Sequence, residues 1–309
     1  MQKNLFLKFL EYKSLLPTFR RSSKYSFPLA ILTLLSFASG SFAWESKDKT
    51  DTITDWKKGE IRKTIDHRMP KVVFHPDDPD YNKEDTAKNL NEARSRAKER
   101  AREELHRYLV RGLENLFLNS NILLRDKVSE DEIFREIFQE IYDKDPVKIE
   151  YKFSHNHLSS LGKIEFKGKR GILTHIQLPY GSEKFPEFHP ALEPSDAYTS
   201  LIVDARHLNV TAALFPEIKN EEGVSIYSPF FVKKSAVVIG GYVRYLSTPK
   251  EAMSWENAGD KPFFTTALTS TGKYPVDLVI SSEDGERLLA SPKTREALRS
   301  GKVIILLKQ

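Results

Sequence analysis

The stretch from Glu84 to Asn119, EDTAKNLNEARSRAKERAREELHRYLVRGLENLFLN, carries the clearest periodic pattern in the chain. Its apolar residues recur every four positions, at Ala93, Ala97, Ala101, Leu105, Leu109 and Leu113, and Leu116 and Phe117 close the row. Apolar residues at this spacing fall on one face of an α-helix. Because alanine is small, the first half of this face could approach a sheet closely. The pattern therefore predicts a long helix packed on a sheet.

Strand patterns lie on both sides of the predicted helix. A second amphipathic helix is expected from a cap near Ser129 through Ile141, and it must end before Pro146. Strands are predicted at Trp56–Ile61, through a turn at Gly59, and at Val147–Phe153, Lys163–Phe166 and Gly171–Leu178. Residues 44–180 are thus predicted to form an N-terminal α+β domain, a mixed sheet covered by a long helix and a shorter one.

A second α+β domain is predicted for residues 196–309. The segment 181–195 contains three prolines and no periodic pattern, so it is interpreted as a linker. Strands are expected at Tyr198–Val203, Ala213–Ile218, Val224–Tyr227, Val237–Leu246 and Val276–Ser281, with Gly240-Gly241 marking a bulge. Ser282 is expected to cap a helix, and Lys302–Leu307 to form a last strand. This domain is therefore strand-rich, with a C-terminal helix and strand.

The first 43 residues read as a secretory signal peptide. Six lysines and arginines precede an apolar run of 17 residues, Phe27–Ala43, that is short for a membrane span. Ser41 and Ala43 provide the small side chains that signal peptidase requires at its −3 and −1 positions. We expect cleavage after Ala43, so that the mature protein begins at Trp44 and is exported. Retention of the segment as a membrane anchor is the alternative.

The composition excludes several classes of protein. The 309 residues contain 48 basic and 43 acidic side chains, and removal of the leader leaves 42 of each. A mature chain of zero net charge is not expected to bind nucleic acid. The absence of cysteine excludes disulfides, thiolate metal sites and a lipid-modified cysteine. A periplasmic protein that is not a lipoprotein is expected, either soluble or peripherally associated with a membrane.

Two groups of polar residues are weak candidates for chemistry. His155 and His157 point to the same side of an extended segment and, with His175, could ligate zinc, although a surface hairpin is the simpler interpretation. Asp204, Arg206 and His207 follow a predicted strand and could form an acid–base group, but a buried ion pair between Asp204 and Arg206 or a capped turn is favoured. No cofactor motif is present, so no metal or cofactor is predicted.

Aromatic residues near loops of the second domain are candidates for a partner surface. They are Tyr227, Phe230, Phe231, Phe263 and Phe264. Aromatic side chains are as often used in the core, so at least half of them are expected to be buried.

The order of these motifs resembles a known family. Trp56 and Gly59, the helix row of alanines and leucines, and the stretch Tyr198–Arg206, YTSLIVDAR, resemble the bacterial LPP-twenty type envelope lipoproteins and the flagellar FlgT-type periplasmic proteins. The Glu222-Gly223 turn, Gly240-Gly241-Tyr242 and Asp277–Ser281 resemble the second half of the longer members. The resemblance covers about Ile53 to Leu307, and it implies an envelope protein of structural or assembly character.

From the sequence we therefore expect an exported, non-enzymatic structural or interaction protein of the periplasm or cell envelope. The resemblance implies association with the flagellum, with other envelope or flagellar proteins as partners. The alternative is a periplasmic protein that binds a metal or a small molecule, or a hydrolase, using the histidines or the Asp204 and His207 group.

Overall fold

The computed structural model describes residues 44–69, 76–81, 83–143, 147–187 and 197–308. The predicted leader, residues 1–43, lies outside these ranges, as does most of the predicted linker. Residues Ser41–Gln309 form one compact unit of α+β class, as predicted. The boundary between an N-terminal and a C-terminal domain within this unit stays a prediction. Among the described residues, no helix is both long enough and apolar enough to span a membrane.

The N-terminal half forms a five-stranded sheet with three helices. The strands are β1 Glu45–Lys47, β2 Ile53–Asp55, β3 Glu60–Arg68, β4 Lys148–Ser154 and β5 His157–Glu165, and the helices are α1 Ala87–Glu114, α2 Leu124–Glu130 and α3 Glu132–Asp143. The strand order is β1-β2-β3-β5-β4, and every pairing is antiparallel, so this sheet is not mixed.

The long helix α1 packs on this sheet through the predicted face. All three alanines of the row are buried, and the leucines at 105, 109 and 113 are fully buried. The helix begins where the Thr86 side chain accepts a hydrogen bond from the Asn89 N–H, at 3.3 Å. On β5, a Cβ atom at Gly162 would lie 2.9 Å from Leu109 Cδ1. Glycine at this position therefore permits the close approach of helix and sheet.

The second amphipathic segment is divided into two helices, where the sequence predicted one. Ser129, the predicted cap, lies inside α2, and Asp131 separates α2 from α3. The Asp131 carboxylate accepts the Phe134 N–H at 3.0 Å and binds the Lys127 ammonium at 2.6 Å. Asp131 therefore caps α3 because its side chain satisfies a free N–H group at the helix start. The apolar side chains of Phe134 and Phe138 are buried, as the pattern predicted.

The strand predicted at Gly171–Leu178 is wrong. This segment forms a 3-10 helix at Ile172–Thr174 followed by irregular chain. Its N–H group at Ile172 donates to the Tyr142 hydroxyl at 3.1 Å, and that hydroxyl donates to the Glu165 carbonyl at 3.0 Å. The preceding strand, β5, already has β3 and β4 on its two sides. Another strand could not pair beside it, so the alternating pattern produced no strand here.

The C-terminal half contains two four-stranded sheets. The elements are β6 Ser200–Asp204, β7 Ile218–Asn220, β8 Ser225–Tyr227, β9 Arg244–Leu246, β10 Pro262–Thr266, β11 Thr269–Thr271, β12 Asp277–Ile280 and β13 Val303–Leu306, with helices α4 Lys234–Gly240, α5 Pro249–Met253, α6 Ser282–Ala290 and α7 Pro292–Arg299. One sheet, in the order β10-β6-β13-β9, is entirely parallel. The other, β11-β12-β7-β8, is mixed. The chain thus ends in helices and a strand, as predicted.

The long strand predicted at Val237–Leu246 is also wrong. The apolar run Val237–Ile239 belongs to α4, and only Arg244–Leu246 forms a strand. Gly241 ends the helix with φ at 85°, a conformation that favours glycine. The glycine pair therefore marks a helix end where a bulge was predicted. A short apolar run of this kind fits either a buried strand or one side of a helix, so the pattern alone could not distinguish the two structures.

The two halves share a continuous core. A connection after α1 reaches the C-terminal half, where the Leu214 N–H donates to the Phe117 carbonyl at 2.8 Å. The Ser120 hydroxyl donates to the buried carboxylate of Asp277 at 2.6 Å. Asp277 also accepts the Glu217 N–H at 3.0 Å. The first two of these bonds join segments more than 90 residues apart in the sequence, so the halves are packed together by polar as well as apolar contacts.

Candidate functional site

A cleft of about 310 Å³ lies where the two halves meet. Strands β1 and β2 form one wall, the end of α1 a second, and the connection after β6 a third. The lining residues are Trp44, Ser46, Lys47, Asp48, Thr52, Thr54, Trp56, Gly112, Asn115, Leu116, Phe117, Val210, Thr211 and Ala212. Clefts between two packed parts of a protein are common places for a ligand to bind.

The rings of Trp44 and Trp56 form the floor of the cleft, and the ring of Tyr245 packs against them and connects the two halves. The Tyr245 ring centroid lies 5.6 Å from that of Trp44 and 5.2 Å from that of Trp56. The Trp56 indole N–H donates to the Ser46 hydroxyl at 3.1 Å. The Trp44 indole N–H donates to the carbonyl of Lys308, just beyond β13, at 3.4 Å. Both tryptophans are more than nine-tenths buried, so they hold the site together more than they offer surface to a ligand.

The third ring of this cluster also ties the parallel sheet to the connection after β6. The Tyr245 hydroxyl donates to the Ala213 carbonyl at 2.8 Å and accepts the Ala213 N–H at 3.0 Å. Burial raises the pKa of the Tyr245 hydroxyl above its ordinary value. This hydroxyl therefore stays neutral and serves to position the chain that forms the third wall.

The polar rim of the cleft is built on the hairpin between β1 and β2. One carboxylate oxygen of Asp48 accepts the Thr50 N–H at 2.7 Å and the Thr52 N–H at 2.9 Å. This is a local side-chain turn, in which aspartate replaces a backbone partner. Because one oxygen of Asp48 is engaged in the turn and the Lys47 ammonium pairs with Asp51 at 2.8 Å, the rim offers chiefly the hydroxyls of threonine and serine and the amide of Asn115. Such a lining suits a neutral polar segment, held by hydrogen bonds and packing.

A lysine with a buried amine lies behind the aromatic floor, although its side chain as a whole is half-buried. The Lys167 ammonium donates to the Trp56 carbonyl at 2.7 Å. Burial and the nearby positive charge of Arg244 lower its pKa to about 8, although the Asp55 carboxylate opposes the shift. The Asp55 side chain is fully buried and accepts the Lys58 N–H at 2.9 Å. The ammonium is therefore held between the two halves by a carbonyl partner.

The acid at the end of β6 is paired with a neighbouring arginine. Asp204 accepts hydrogen bonds from Arg206 Nε at 2.9 Å and from Arg206 Nη2 at 2.5 Å. This bidentate ion pair is one of the two arrangements that the sequence favoured, although both residues are half-buried where a buried pair was predicted. The hydrogen bonds from Arg206 hold the pKa of Asp204 below its ordinary value. His207 is exposed, and none of these three residues lines the cleft. The carboxylate is therefore a weak base, since it is stabilised in its ionised form.

The three histidines of the hypothetical zinc site are far apart. His157 begins β5 beside the turn that contains His155, whereas His175 follows the opposite end of β5, where the Leu173 N–H donates to the Phe166 carbonyl. The nine residues of β5 span about 26 Å. One ion cannot contact both ends, and no metal-binding cluster occurs among the described residues. The shared zinc site is therefore wrong.

Most of the aromatic residues proposed as a partner surface are buried. Tyr227, Phe231 and Phe263 belong to the core, and the Tyr227 hydroxyl donates to the Tyr242 carbonyl at 2.6 Å. Phe230 is half-buried, and Phe264 is 47% exposed on the edge strand β10. The five residues do not form one exposed patch. The expectation that at least half of them pack in the core is confirmed.

The aromatic cleft itself was missed by sequence reasoning. The chain contains only three tryptophans, and two of them bracket the β1–β2 hairpin. That spacing was a detectable signal that the hairpin packs against something. The third ring, Tyr245, is 189 residues further along the sequence, and nothing local links it to the tryptophans.

The C-terminal half is similar to a known bacterial domain. Residues 200–309 match the family model described as Treponema pallidum Tp0624, second domain. The matched part is a little over a third of the chain. It begins at the first residue of β6 and contains both C-terminal sheets. No curated protein matches the chain.

Proposed function

We propose that the protein is exported and acts in the bacterial periplasm or cell envelope as a non-enzymatic structural or interaction protein associated with the flagellum. The basic region and apolar run before Trp44 support export. The resemblance of the motifs to envelope and flagellar proteins supports the association. The similarity of residues 200–309 to a Treponema pallidum domain supports a bacterial setting.

The observation that carries the binding role is the cleft between the two halves. Its lining combines rigid aromatic rings with hydroxyl and amide groups, and its one carboxylate, Asp48, is engaged in a turn. This chemistry favours recognition of a neutral polar segment of a partner over acid–base catalysis. The same cleft favours small-molecule binding as the second candidate function, since 310 Å³ is enough for a small ligand.

The first prediction concerns export. We expect the protein recovered from cells to begin at Trp44, because Ser41 and Ala43 provide a signal-peptidase site. N-terminal sequencing of the product from the periplasmic fraction measures this directly. A replacement of Ala43 by a large residue, Ala43→Leu, should block cleavage, whereas Ala38→Leu within the apolar run should not. Recovery of a product that begins at Met1 would refute export by this route.

The second prediction concerns the flagellum and the cleft. Deletion of the gene should reduce swimming or alter flagellar shape. The wild-type gene should restore both, and so should the His155→Ala, His157→Ala and Asp204→Ala variants, since these residues do not line the cleft. In contrast, Thr211→Trp should fill the cleft and fail to rescue while remaining folded. Motility tracking and electron microscopy of flagella measure these outcomes.

Two results would contradict this proposal. Normal motility and normal flagella in the deletion strain would refute the flagellar association. Full rescue by a folded Thr211→Trp protein would show that the cleft is not the site of recognition, and a folded His157→Ala protein that fails to rescue would favour a role for the histidines.

A further inference from the structure

The strand β4 forms an open edge of the N-terminal sheet. On one side it pairs with β5 from Lys148 to Ser154, and the described structure has no strand on its other side. With seven residues it is the longest edge strand in the described part of the chain, where the other edge strands have three to five residues. Because an edge strand presents unpaired backbone N–H and C=O groups, it can bind another strand.

The strand lacks several features that usually prevent pairing at an edge. Proteins commonly protect an edge with a proline, a bulge or a very short strand. The sequence of β4, KIEYKFS, contains neither proline nor glycine, and its register with β5 has no shift. The helix α1 packs chiefly on β3 and β5. Most of the strand is therefore accessible, and its exposed residues are Lys148, Glu150, Lys152, Phe153 and Ser154.

The two faces of β4 carry different side chains. The apolar residues lie on the side of α1, where the Lys98 ammonium is 5.5 Å from the ring centroids of both Tyr151 and Phe153. The opposite face carries charges of both signs, with Glu150 and Lys152 two positions apart. A strand that pairs with β4 must therefore match an apolar row on one face and a mixed charged row on the other.

Both of these charged side chains can reach a new partner. Glu150 binds Nζ of Lys163, on β5, at 2.9 Å, but its side chain remains 59% exposed. Lys152 is exposed and forms no ion pair with any residue that the structure describes. Since an exposed ion pair contributes little to stability, Glu150 can share its carboxylate between Lys163 and a second cation at small cost.

We propose that β4 pairs antiparallel with β4 of a second copy of this chain, about a two-fold axis at Tyr151. In this register Glu150 lies opposite Lys152 of the second copy, and the symmetry repeats the pair. Ile149 likewise lies opposite Phe153, which is 38% exposed in the single chain. Opposite charges and apolar pairs across two strands both stabilise a sheet. The inference goes beyond the proposed function and does not depend on the cleft.

This register alone combines full overlap with complementary charge. The backbone groups that point away from β5 alternate along β4, so the axis of an antiparallel pair must pass through a residue. An axis at Tyr151 pairs all seven residues. An axis at Glu150 or at Lys152 brings two like side chains face to face, which is destabilising. Axes nearer the ends of the strand pair at most three residues. The lysines that oppose other edges therefore select the register centred at Tyr151.

A strand from a different protein is the competing occupant of this edge. The second copy is favoured because the complementary pattern is contained in β4 itself. Each copy contributes one strand of seven residues, whereas a standard interface involves about 20–30 residues a side. We therefore expect a weak dimer, with a dissociation constant in the micromolar range.

The first test measures the oligomeric state of the protein recovered from cells, by sedimentation velocity across the micromolar range. We expect an equilibrium between monomer and dimer. Glu150→Lys and Lys152→Glu should each weaken dimerisation at least about tenfold, because each places like charges opposite one another. An equimolar mixture of the two variants should form a heterodimer, since each lysine then faces a glutamate. The matched control is Glu222→Lys, an exposed residue between β7 and β8, which should dimerise as the wild type does.

The second test measures the register by disulfide formation, which is specific because the chain contains no cysteine of its own. Tyr151→Cys places the two thiols opposite each other at the axis, so mild oxidation should produce a linked dimer on a non-reducing gel. Lys148→Cys is the control on the same strand. Its thiols would lie about 20 Å apart in the proposed register, so this variant should remain monomeric on the gel.

Circular dichroism confirms that each variant is folded. A wild-type protein that stays monomeric at every concentration would overturn the proposal and leave the edge to a strand of another protein. Undiminished dimerisation of both single charge variants, a mixture of them that fails to dimerise, or linkage of Lys148→Cys as efficient as that of Tyr151→Cys would each refute the register.

Discussion

Replacement of Trp56 by alanine is expected to destabilise the protein by about 3–5 kcal/mol, the usual range for removal of a buried tryptophan. Trp56 is 4% exposed and packs on Trp44, Tyr245 and Phe166, whose ring centroid lies 5.7 Å away. The variant would lose these contacts and leave a void between the two halves. Since whole domains are stable by only about 5–15 kcal/mol, the change is a large fraction of the total.

The measurement is the free energy of unfolding from urea denaturation, followed by far-ultraviolet circular dichroism. Trp255→Ala is the matched control, because Trp255 is only half-buried and stacks on Arg244, 4.7 Å from its ring centroid, at the edge of a smaller apolar cluster. We expect the control to lose less than half as much stability. A loss below about 1 kcal/mol in Trp56→Ala would show that the aromatic cluster does not hold the halves together.

Stability should rise with pH between about 8 and 10 because of Lys167. The pKa of this buried amine is lowered to about 8 in the folded protein, whereas an unfolded chain has the ordinary lysine value of about 10.4. Between these values the unfolded state binds more protons, so raising the pH stabilises the folded state. Below pH 8 both states are protonated, and the folded state bears the full penalty for the buried charge. The expected rise is roughly 1–3 kcal/mol.

The variant Lys167→Met keeps most of the side-chain volume and removes the charge, so the rise with pH should disappear. Lys58→Met, an exposed change on the neighbouring turn, should retain the rise. The comparison is best made by urea denaturation between about pH 7.5 and 9.5, below the range in which tyrosines of the unfolded chain ionise. If both variants kept the same pH dependence as the wild type, the amine would have to be solvated.

A buried cation beside the cleft also connects stability with the candidate site. The Lys167 ammonium binds the carbonyl of Trp56, whose ring forms the floor of the cleft, and its stem packs against Gly59. The changes in the free energy of unfolding caused by Trp56→Ala and Lys167→Met should therefore not be additive in the double variant, because the two residues share neighbours.

The sequence predicted correctly those helices and strands whose buried side follows from the spacing of their apolar residues. The row from Ala93 to Leu113 is buried as expected, because residues four apart on a helix necessarily share a side. The strands near Lys148–Ser154, Ser200–Asp204 and Val303–Leu306 were also predicted, within a residue or two at their ends. In each case the side chains alternate or form a continuous apolar run.

Errors arose where two structures fit the same pattern. The apolar run at Val237 became a helix, and the run after Gly171 became a 3-10 helix, because the packing partners of each segment are remote in sequence. The metal hypothesis failed for the same reason, since spacing places His155 and His157 together but says nothing of His175. Alternation of apolar and polar residues also predicted a strand after Gly171. The strand order of the folded sheet left no free side of β5 for that strand to pair with.

The residue pattern was enough for the α+β class, the packing face of the long helix and the pairing of Asp204 with Arg206, because each depends on neighbours within a few positions. The cleft and the position of Lys167 behind Trp56 depend on contacts between segments that are remote in the sequence, such as the 111 positions between Trp56 and Lys167. Those contacts form only when the whole core is buried at once, so no local preference could have predicted them.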